Sequence, residues 1–286
     1  MHAIAVTGAT GYVGQCLVQA LRARGHTVYE LSRTNRRDSA AWIRFDLRRV
    51  EELRLPADVD WFVHAAHDFS GTTWKAMDDV NIKGTIRLFD RVKAAGCPNA
   101  IFISSLAAFD AAVSDYGRAK RALEKALLPE GVICVRPGLV YGAGGGLVEA
   151  IRKQVRKRKI VPLVDGGKQK LYLVSTDSLG SALVRIVDDP EPFRGRPVVV
   201  AARKPTTVRA LAMELATQSQ VVPWFLPVPG VVVAPVLRLL EKLTARVPFR
   251  SDSIVGLRTQ CREPFEGNSV IDVESDVAPE EWSRRV

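Results

Sequence analysis

The amino-acid sequence predicts an α/β protein: a doubly wound parallel sheet followed by a small C-terminal lobe. Three observations predict it. Apolar runs with buried-strand character recur through the first half at Ala3–Thr7, Thr27–Leu31, Trp42–Phe45, Val59–Ala65, Ala100–Ser104 and Val132–Arg136. Helical patterns at Tyr12–Arg24, Trp74–Ala95 and Tyr116–Leu128 lie between several of them. Strands apolar throughout and alternating with helices are the mark of parallel βαβ units covered on both faces. The third observation is a glycine-rich turn, Thr7-Gly8-Ala9-Thr10-Gly11-Tyr12-Val13-Gly14, where the first strand meets the first helix.

The composition is that of an ordinary globular chain. It has 286 residues, 47% hydrophobic and 25% charged, enough for one large α/β unit with an appended lobe. Lys and Arg number 41 against 31 Asp and Glu, so the formal net charge is +10. A surplus of that size points to an anionic partner without choosing among nucleotide, nucleic acid and membrane. Cys16, Cys97, Cys134 and Cys261 are widely spaced and no Cys/His cluster has metal-ligand spacing, so neither a zinc site nor a disulfide framework is expected. A reducing cytoplasm fits this usage, and the first residues run into a strand pattern without the features of a secretory signal.

Each element has a reason in turn. Glycines at spacing three in a strand-to-helix turn permit the tight turn and the close backbone approach of a pyrophosphate, which then meets the unpaired N–H groups of the helix N-terminus. This predicts a dinucleotide-binding, Rossmann-type domain over residues 1–165, contacted through Thr7, Gly8, Thr10, Gly11, Tyr12, Val13 and Gly14. Sheets of this type bind ligands at the carboxyl ends of their strands. Beyond residue 140 the pattern reads as a Gly-rich loop, a basic helix over Val148–Lys159, a strand over 170–174 and a helix over 178–187. The last two are expected to return to the first domain, leaving 190–286 as a small substrate-binding lobe.

Further motifs follow in order: Phe45-Asp46-Leu47, Val63-His64-Ala65-Ala66, Asn81-Ile82-Lys83-Gly84-Thr85, Ser104-Ser105, Tyr116-Gly117-Arg118-Ala119-Lys120 and Arg136-Pro137-Gly138-Leu139-Val140-Tyr141-Gly142. With the glycine turn they resemble the extended short-chain dehydrogenases/reductases, also called the NAD-dependent epimerase/dehydratase family, over residues 2 to about 180. The resemblance implies cofactor contacts at Asp46, Leu47, Ala65, Ala66, Asn81, Ser104, Tyr116, Lys120, Pro137 and Gly138. It implies a catalytic Ser105, Tyr116 and Lys120, in which the tyrosine exchanges a proton with the substrate oxygen and the lysine tunes it and holds the nicotinamide ribose. Tyr116 and Lys120 are four apart on one predicted helix face, where an ammonium favours the phenolate. A dimer through two helices per subunit is usual in the family.

At the end of strand 2 the NAD-preferring members carry an acidic residue for the ribose hydroxyls. An ungapped count from Gly14 through Gly25 puts Ser32 there, followed by Arg33, with Arg36 and Arg37 nearby. A hydroxyl beside a guanidinium suits the 2′-phosphate of NADP, whereas a carboxylate would repel it. NADP is therefore expected over NAD, and Glu30 is read as lying inside the strand.

What is absent narrows the chemistry. Leu106-Ala107-Ala108 follows Ser105 where 4,6-dehydratases of the family carry an Asp-Glu pair, so 4,6-dehydration is not expected. Lys170 stands where nucleotide-sugar members commonly place a diphosphate-gripping Arg; it keeps the charge but loses the fork. His67, Tyr141 and Lys170 are candidate substrate contacts, with an ordinary surface or core role the alternative for His67. The expected function is NADP(H)-dependent hydride transfer between nicotinamide and a secondary alcohol or ketone, with a keto-sugar and a small hydrophobic ketone both open. The alternatives are a nucleotide-sugar epimerase with tightly bound cofactor and a non-catalytic NADP-binding scaffold.

The basic run Arg152–Lys159 has no interleaved aromatics and reads as a solvated helix face, so nucleic acid is not an expected partner. Val221–Leu240 is almost wholly apolar with Arg238 its only charge, but Pro223, Pro227, Pro229 and Pro235 argue against a spanning helix. After Pro235 an amphipathic helix is expected to pack on the lobe; an interfacial membrane helix over 221–247 is the weaker reading.

Overall fold

Strand β1 (Ala3–Thr7) is buried at all five positions, as a strand covered on both faces must be. Helix α1 (Tyr12–Ala23) follows, burying Cys16, Leu17, Val18 and Leu21 along one stripe. The same logic builds β2 (Thr27–Ser32), β3 (Trp42–Arg44), β4 (Trp61–His64), α2 (Trp74–Met77), α3 (Gly84–Ala94), β5 (Asn99–Ile103), α4 (Asp115–Leu127) and β6 (Ile133–Pro137). The computed structural model describes residues 1–35, 39–71, 73–143, 145–157, 160–233, 235, 237, 251–259 and 263–273.

The chain continues with β7 (Leu139–Tyr141), α5 (Gly146–Lys157), β8 (Ile160–Val164), β9 (Lys170–Leu171), β10 (Leu173–Ser175) and α6 (Thr176–Asp188). It then forms β11 (Val198–Ala201), β12 (Thr206–Thr207), α7 (Val208–Gln218), β13 (Trp224–Val228), α8 (Ser251–Arg258) and β14 (Ser269–Asp272). Eight strands make one sheet in the order β14-β11-β6-β5-β4-β1-β2-β3, and every pairing within it is parallel. The strand order reverses between β1 and β4, and a crevice opens there at the carboxyl ends.

One core lies under α1 and α6, built on Ile4, Val6, Leu17, Leu183 and Ile186. The other lies under α3 and α4, built on Ala5, Phe62, Leu88, Phe102 and Leu123. A third is separate from the sheet and joins α5, β8 and α7 through Val148, Ile151, Val155, Val161, Leu163 and Leu215.

The predicted division of the chain is corrected at both ends. Strands β11 and β14 lie beyond residue 190 yet belong to the main sheet, because three valines of β11 are wholly buried beside β6. Conversely α5 and β8 precede residue 165 but pack in the third core with α7, so the lobe is assembled from both sides of that boundary. The strand expected over 170–174 is two short ones: β9 pairs antiparallel with β12 and β10 parallel with β7. The helix expected over 74–95 is continuous only through a π-helical turn at Asp78–Lys83. The basic helix is α5, with Val148, Ile151 and Val155 buried and Lys153, Arg156 and Lys157 exposed. Part of the apolar 221–240 stretch is β13, paired in parallel with β8. Arg36, Arg37, Arg158, Lys159, Cys261 and most of the helix expected after Pro235 lie outside the described residues. Among those described, no helix is long and apolar enough to cross a membrane.

Candidate active site

The crevice is a cavity of about 980 Å³. Its floor is the turn after β1. Gly8 has φ +69°, and a Cβ there would lie 2.9 Å from the backbone of Ala66; a Cβ on Gly14 would lie 2.1 Å from the Gly8 carbonyl oxygen. Only glycine fits either position, and the result is bare backbone at the N-terminus of α1, the surface an anionic pyrophosphate needs. Behind it the Thr7 hydroxyl accepts from the N–H groups of Ala65 (3.2 Å) and Ala66 (3.3 Å). Its own proton is therefore left for His64 Nδ1 at 2.8 Å, and His64 Nε2–H donates to the Thr85 hydroxyl at 3.2 Å. Burial, with the nearby Lys120 charge, holds the His64 pKa down at about 3, so this imidazole is a neutral strut between β1, β4 and α3.

Ser104 and Ser105 follow β5. Ser104 is buried and donates to Glu124 Oε1 at 2.6 Å; the same carboxylate accepts from Arg136 Nε (2.8 Å) and Nη2 (2.5 Å). The Ser104 proton is thus committed behind the cavity. Ser105 accepts from the Ala107 N–H at 3.1 Å and hydrogen-bonds the Tyr116 phenol. Burial raises the Tyr116 pKa, and that bond opposes the rise. Lys120, one turn along α4, donates to the Ile103 carbonyl at 2.7 Å, and its Nζ lies 4.5 Å from the centre of the Phe102 ring. Burial lowers its pKa to about 7, against the opposing pull of Glu124 and Cys134.

Helix α4 is anchored from an unexpected direction. Both oxygens of Asp252, on α8, accept from the first turn of α4, at 2.7 Å from the Asp115 N–H and 3.0 Å from the Tyr116 N–H. Ser114 completes the cap on the Gly117 N–H at 3.1 Å. A carboxylate at this end also complements the helix dipole.

The cavity lining contains Gly8, Thr10, Gly11, Tyr12, Val13, Gly14, Ser32, Arg33, Asp46, Leu47, Ala65, Ala66, His67, Ser104, Ser105, Tyr116, Lys120, Pro137, Gly138 and Lys170. Three expected contacts stand elsewhere. Thr7 is buried behind the turn, Tyr141 is off the lining, and Asn81 clamps a loop, accepting from the Asp68 N–H (2.7 Å) and donating to the Asp68 carbonyl (3.0 Å). Asn81 therefore supports the segment that carries His67 and Phe69, where the resemblance implies a cofactor contact. His67 meets Tyr116 edge-on at 5.0 Å, and Phe69 stacks on it at 6.1 Å. Glu30 is held by Arg22 at 2.7 Å within the strand, away from the cavity.

Sequence reasoning missed Asp252, which sits 136 residues from the N–H it caps, and the apolar wall of Phe69, Phe109, Leu147, Ile254 and Leu257. Glu124 had a local signal, a carboxylate one turn beyond Lys120.

A model described as the NAD dependent epimerase/dehydratase family matches residues 4–201. The chain belongs to that family. Among characterised members it is similar to a ceramide reductase of Caulobacter vibrioides, 27% identical over 196 residues that make up 65% of this chain and 61% of the relative. It thus spans less than two thirds of that relative. Solved members share its fold: a UDP-N-acetylglucosamine 4-epimerase from Bacillus cereus superposes with TM-score 0.67 at 17% identity, over 80% of this chain and 86% of the other. MoeE5, solved with UDP-glucose and NAD, gives 0.67 at 21% identity over 79% and 85%. The glycine turn and the Ser-Tyr-Lys cluster fall within the matched segment, while Ile254 and Leu257 of α8 complete the cavity from beyond it.

Proposed function

We propose that this protein is an NADP(H)-dependent reductase of a ketone carried on an apolar skeleton. The observation that carries the reading is the convergence of Ser105, Tyr116 and Lys120 on a cavity whose far wall is apolar. The glycine cradle, closed to a Cβ at Gly8 and Gly14, fits a dinucleotide pyrophosphate, which would rest on Gly8, Gly11 and Gly14, and Lys120 in the same cavity would hold the ribose. When bound, the nicotinamide supplies or accepts the hydride.

The chain's own residues handle the oxygen. The Ser105 hydroxyl donates to the substrate carbonyl and Tyr116 Oη delivers its proton as the alkoxide forms. Burial opposes the phenolate that remains, and the protonated form of Lys120, whose Nζ lies 5.7 Å from the centre of the tyrosine ring, would offset that cost. His67 and Phe69 cover the tyrosine and limit water at the reacting carbon. The relative named ceramide reductase supports an apolar substrate. Lys170, exposed at the cavity rim, keeps an anionic head group open as part of that substrate.

For the cofactor, the Ser32 hydroxyl is engaged on both sides, accepting from Trp42 Nε1 at 3.0 Å and donating to the Thr34 carbonyl at 2.8 Å. The 2′-phosphate contact therefore falls to Arg33, which lines the cavity. Arg33→Asp is expected to weaken NADPH binding at least about tenfold more than NADH binding, since a charge-assisted bond becomes a repulsion. Titration of both cofactors by quenching of protein fluorescence checks it; equal losses would contradict it. Oxidation of NADPH in the presence of medium-chain alkanones and β-keto esters tests the reaction. Turnover of a UDP-hexose without added cofactor would favour an epimerase instead.

A further inference from the structure

The two-stranded ribbon of β8 and β13 presents an apolar face that no described element covers. Side chains alternate along it. Val161, Leu163 and Phe225 turn inward to the third core, while Ile160, Pro162, Trp224 and Leu226 turn outward. Trp224 is 77% exposed and Ile160, its register partner, 56%. Val222 before the strand is 88% exposed, and Val231 beyond it 67%. Isolated exposed apolar residues are ordinary; an aromatic and a row of aliphatics on one ribbon are a patch.

Charge identifies what the patch meets. Arg156 and Lys157 are exposed at the end of α5, directly ahead of β8, and Lys168 is exposed just beyond its far end. No carboxylate among the described residues pairs with any of the three. Among the described residues the acid at the ribbon's end, Asp165, is taken by Arg258 at 2.8 Å and the Gly230 N–H at 2.7 Å. Cations bracketing an exposed Trp and aliphatic side chains match an anionic bilayer, whose head groups attract the first and whose acyl boundary accepts the second. A nucleic acid would leave the aliphatic row unsatisfied, and a second copy of this chain would set cation against cation.

We propose that the β8–β13 ribbon docks the protein on an anionic lipid surface. The proposal does not depend on the reaction assigned above. Its geometry nonetheless joins the two, because Leu257 packs on the same core as Phe225 and also lines the catalytic cavity.

The test is flotation of the full chain with vesicles of phosphatidylglycerol and phosphatidylcholine, against phosphatidylcholine alone, with NADPH binding measured on every variant. The wild type is expected to float with the anionic vesicles only. The double variant Trp224→Ser, Leu226→Ser is expected to lose at least about tenfold in partitioning, the scale set by withdrawing one large side chain from water. Arg156→Glu with Lys157→Glu is expected to lose a comparable factor. NADPH binding should be unchanged in both. Quenching of wild-type tryptophan fluorescence by brominated lipid gives an independent readout should a variant fail to fold. Absence of flotation and quenching would overturn the proposal. So would flotation indifferent to Trp224→Ser, Leu226→Ser, or a wild-type dimer that this double variant converts to monomer.

Discussion

Burying Lys120 carries a cost that pH can relieve. Its pKa falls from 10.5 in the unfolded chain to about 7 in the fold, chiefly through burial. Below pH 7 both states hold the proton and the fold bears the full penalty. Between about pH 7 and 10.5 the unfolded chain binds the proton and the folded one does not, so stability rises with pH, by at most about 1.4 kcal/mol per unit. Thermal melts of the wild type from pH 7 to 8.5 should therefore climb, and Lys120→Met should flatten the slope; parallel curves would contradict the assignment. The two serines illustrate what a motif conveys and what it leaves out. The Ser-Ser pair at the strand end was legible in the sequence. That Ser104 is tied to the buried Glu124–Arg136 pair depends on β6 lying beside β5, which no local pattern of Ser104 records.

At the scale of elements, α4 carries Tyr116 and Lys120, and its N-terminus is held by a residue from α8. Asp252 satisfies two of the helix's unpaired N–H groups, one of them belonging to Tyr116. Asp252→Ala should cost about 1 kcal/mol of stability. It should also lower kcat severalfold while leaving NADPH affinity intact, because the phenol loses its fixed seat and the glycine turn does not. Asp252→Asn, which can still accept one bond, should recover part of kcat. Melts and steady-state kinetics of the pair check this, and a change in stability without a change in kcat would contradict it. Strands β1 to β6 and helices α1, α3 and α4 were legible because their burial patterns are local and periodic. The π-helical turn at Asp78–Lys83 was not, because helical periodicity says nothing of Asn81 reaching back to the loop at Asp68.

For the whole molecule, the division into a sheet domain and a C-terminal lobe misplaced the boundary for a physical reason. Val198–Ala201 looks like any short apolar strand, and its place beside β6 is fixed by a crossover through α6. The chain after residue 190 therefore completes the sheet as well as the cavity wall. A fragment of residues 1–189 would leave the edge of β6 unpaired and its buried face open, and it is expected to aggregate on expression. A soluble fragment with a cooperative melt would contradict that account. The basic surplus divides in the same spirit: Arg33 faces the cavity, Arg136 is locked to Glu124, and Arg156 and Lys157 face outward beside the ribbon.

The central claim is that Tyr116 gives its proton to the substrate oxygen from a site otherwise built to hold NADP(H). Tyr116→Phe removes one oxygen atom and keeps the ring that packs with His67 and Phe69. The measurement is single-turnover oxidation of bound NADPH by a ketone substrate, with NADPH affinity determined on the same protein. The account predicts an affinity within about twofold of the wild type and hydride transfer slowed at least about 100-fold, the lower range for a lost general acid. Hydride transfer at the wild-type rate in Tyr116→Phe would contradict it.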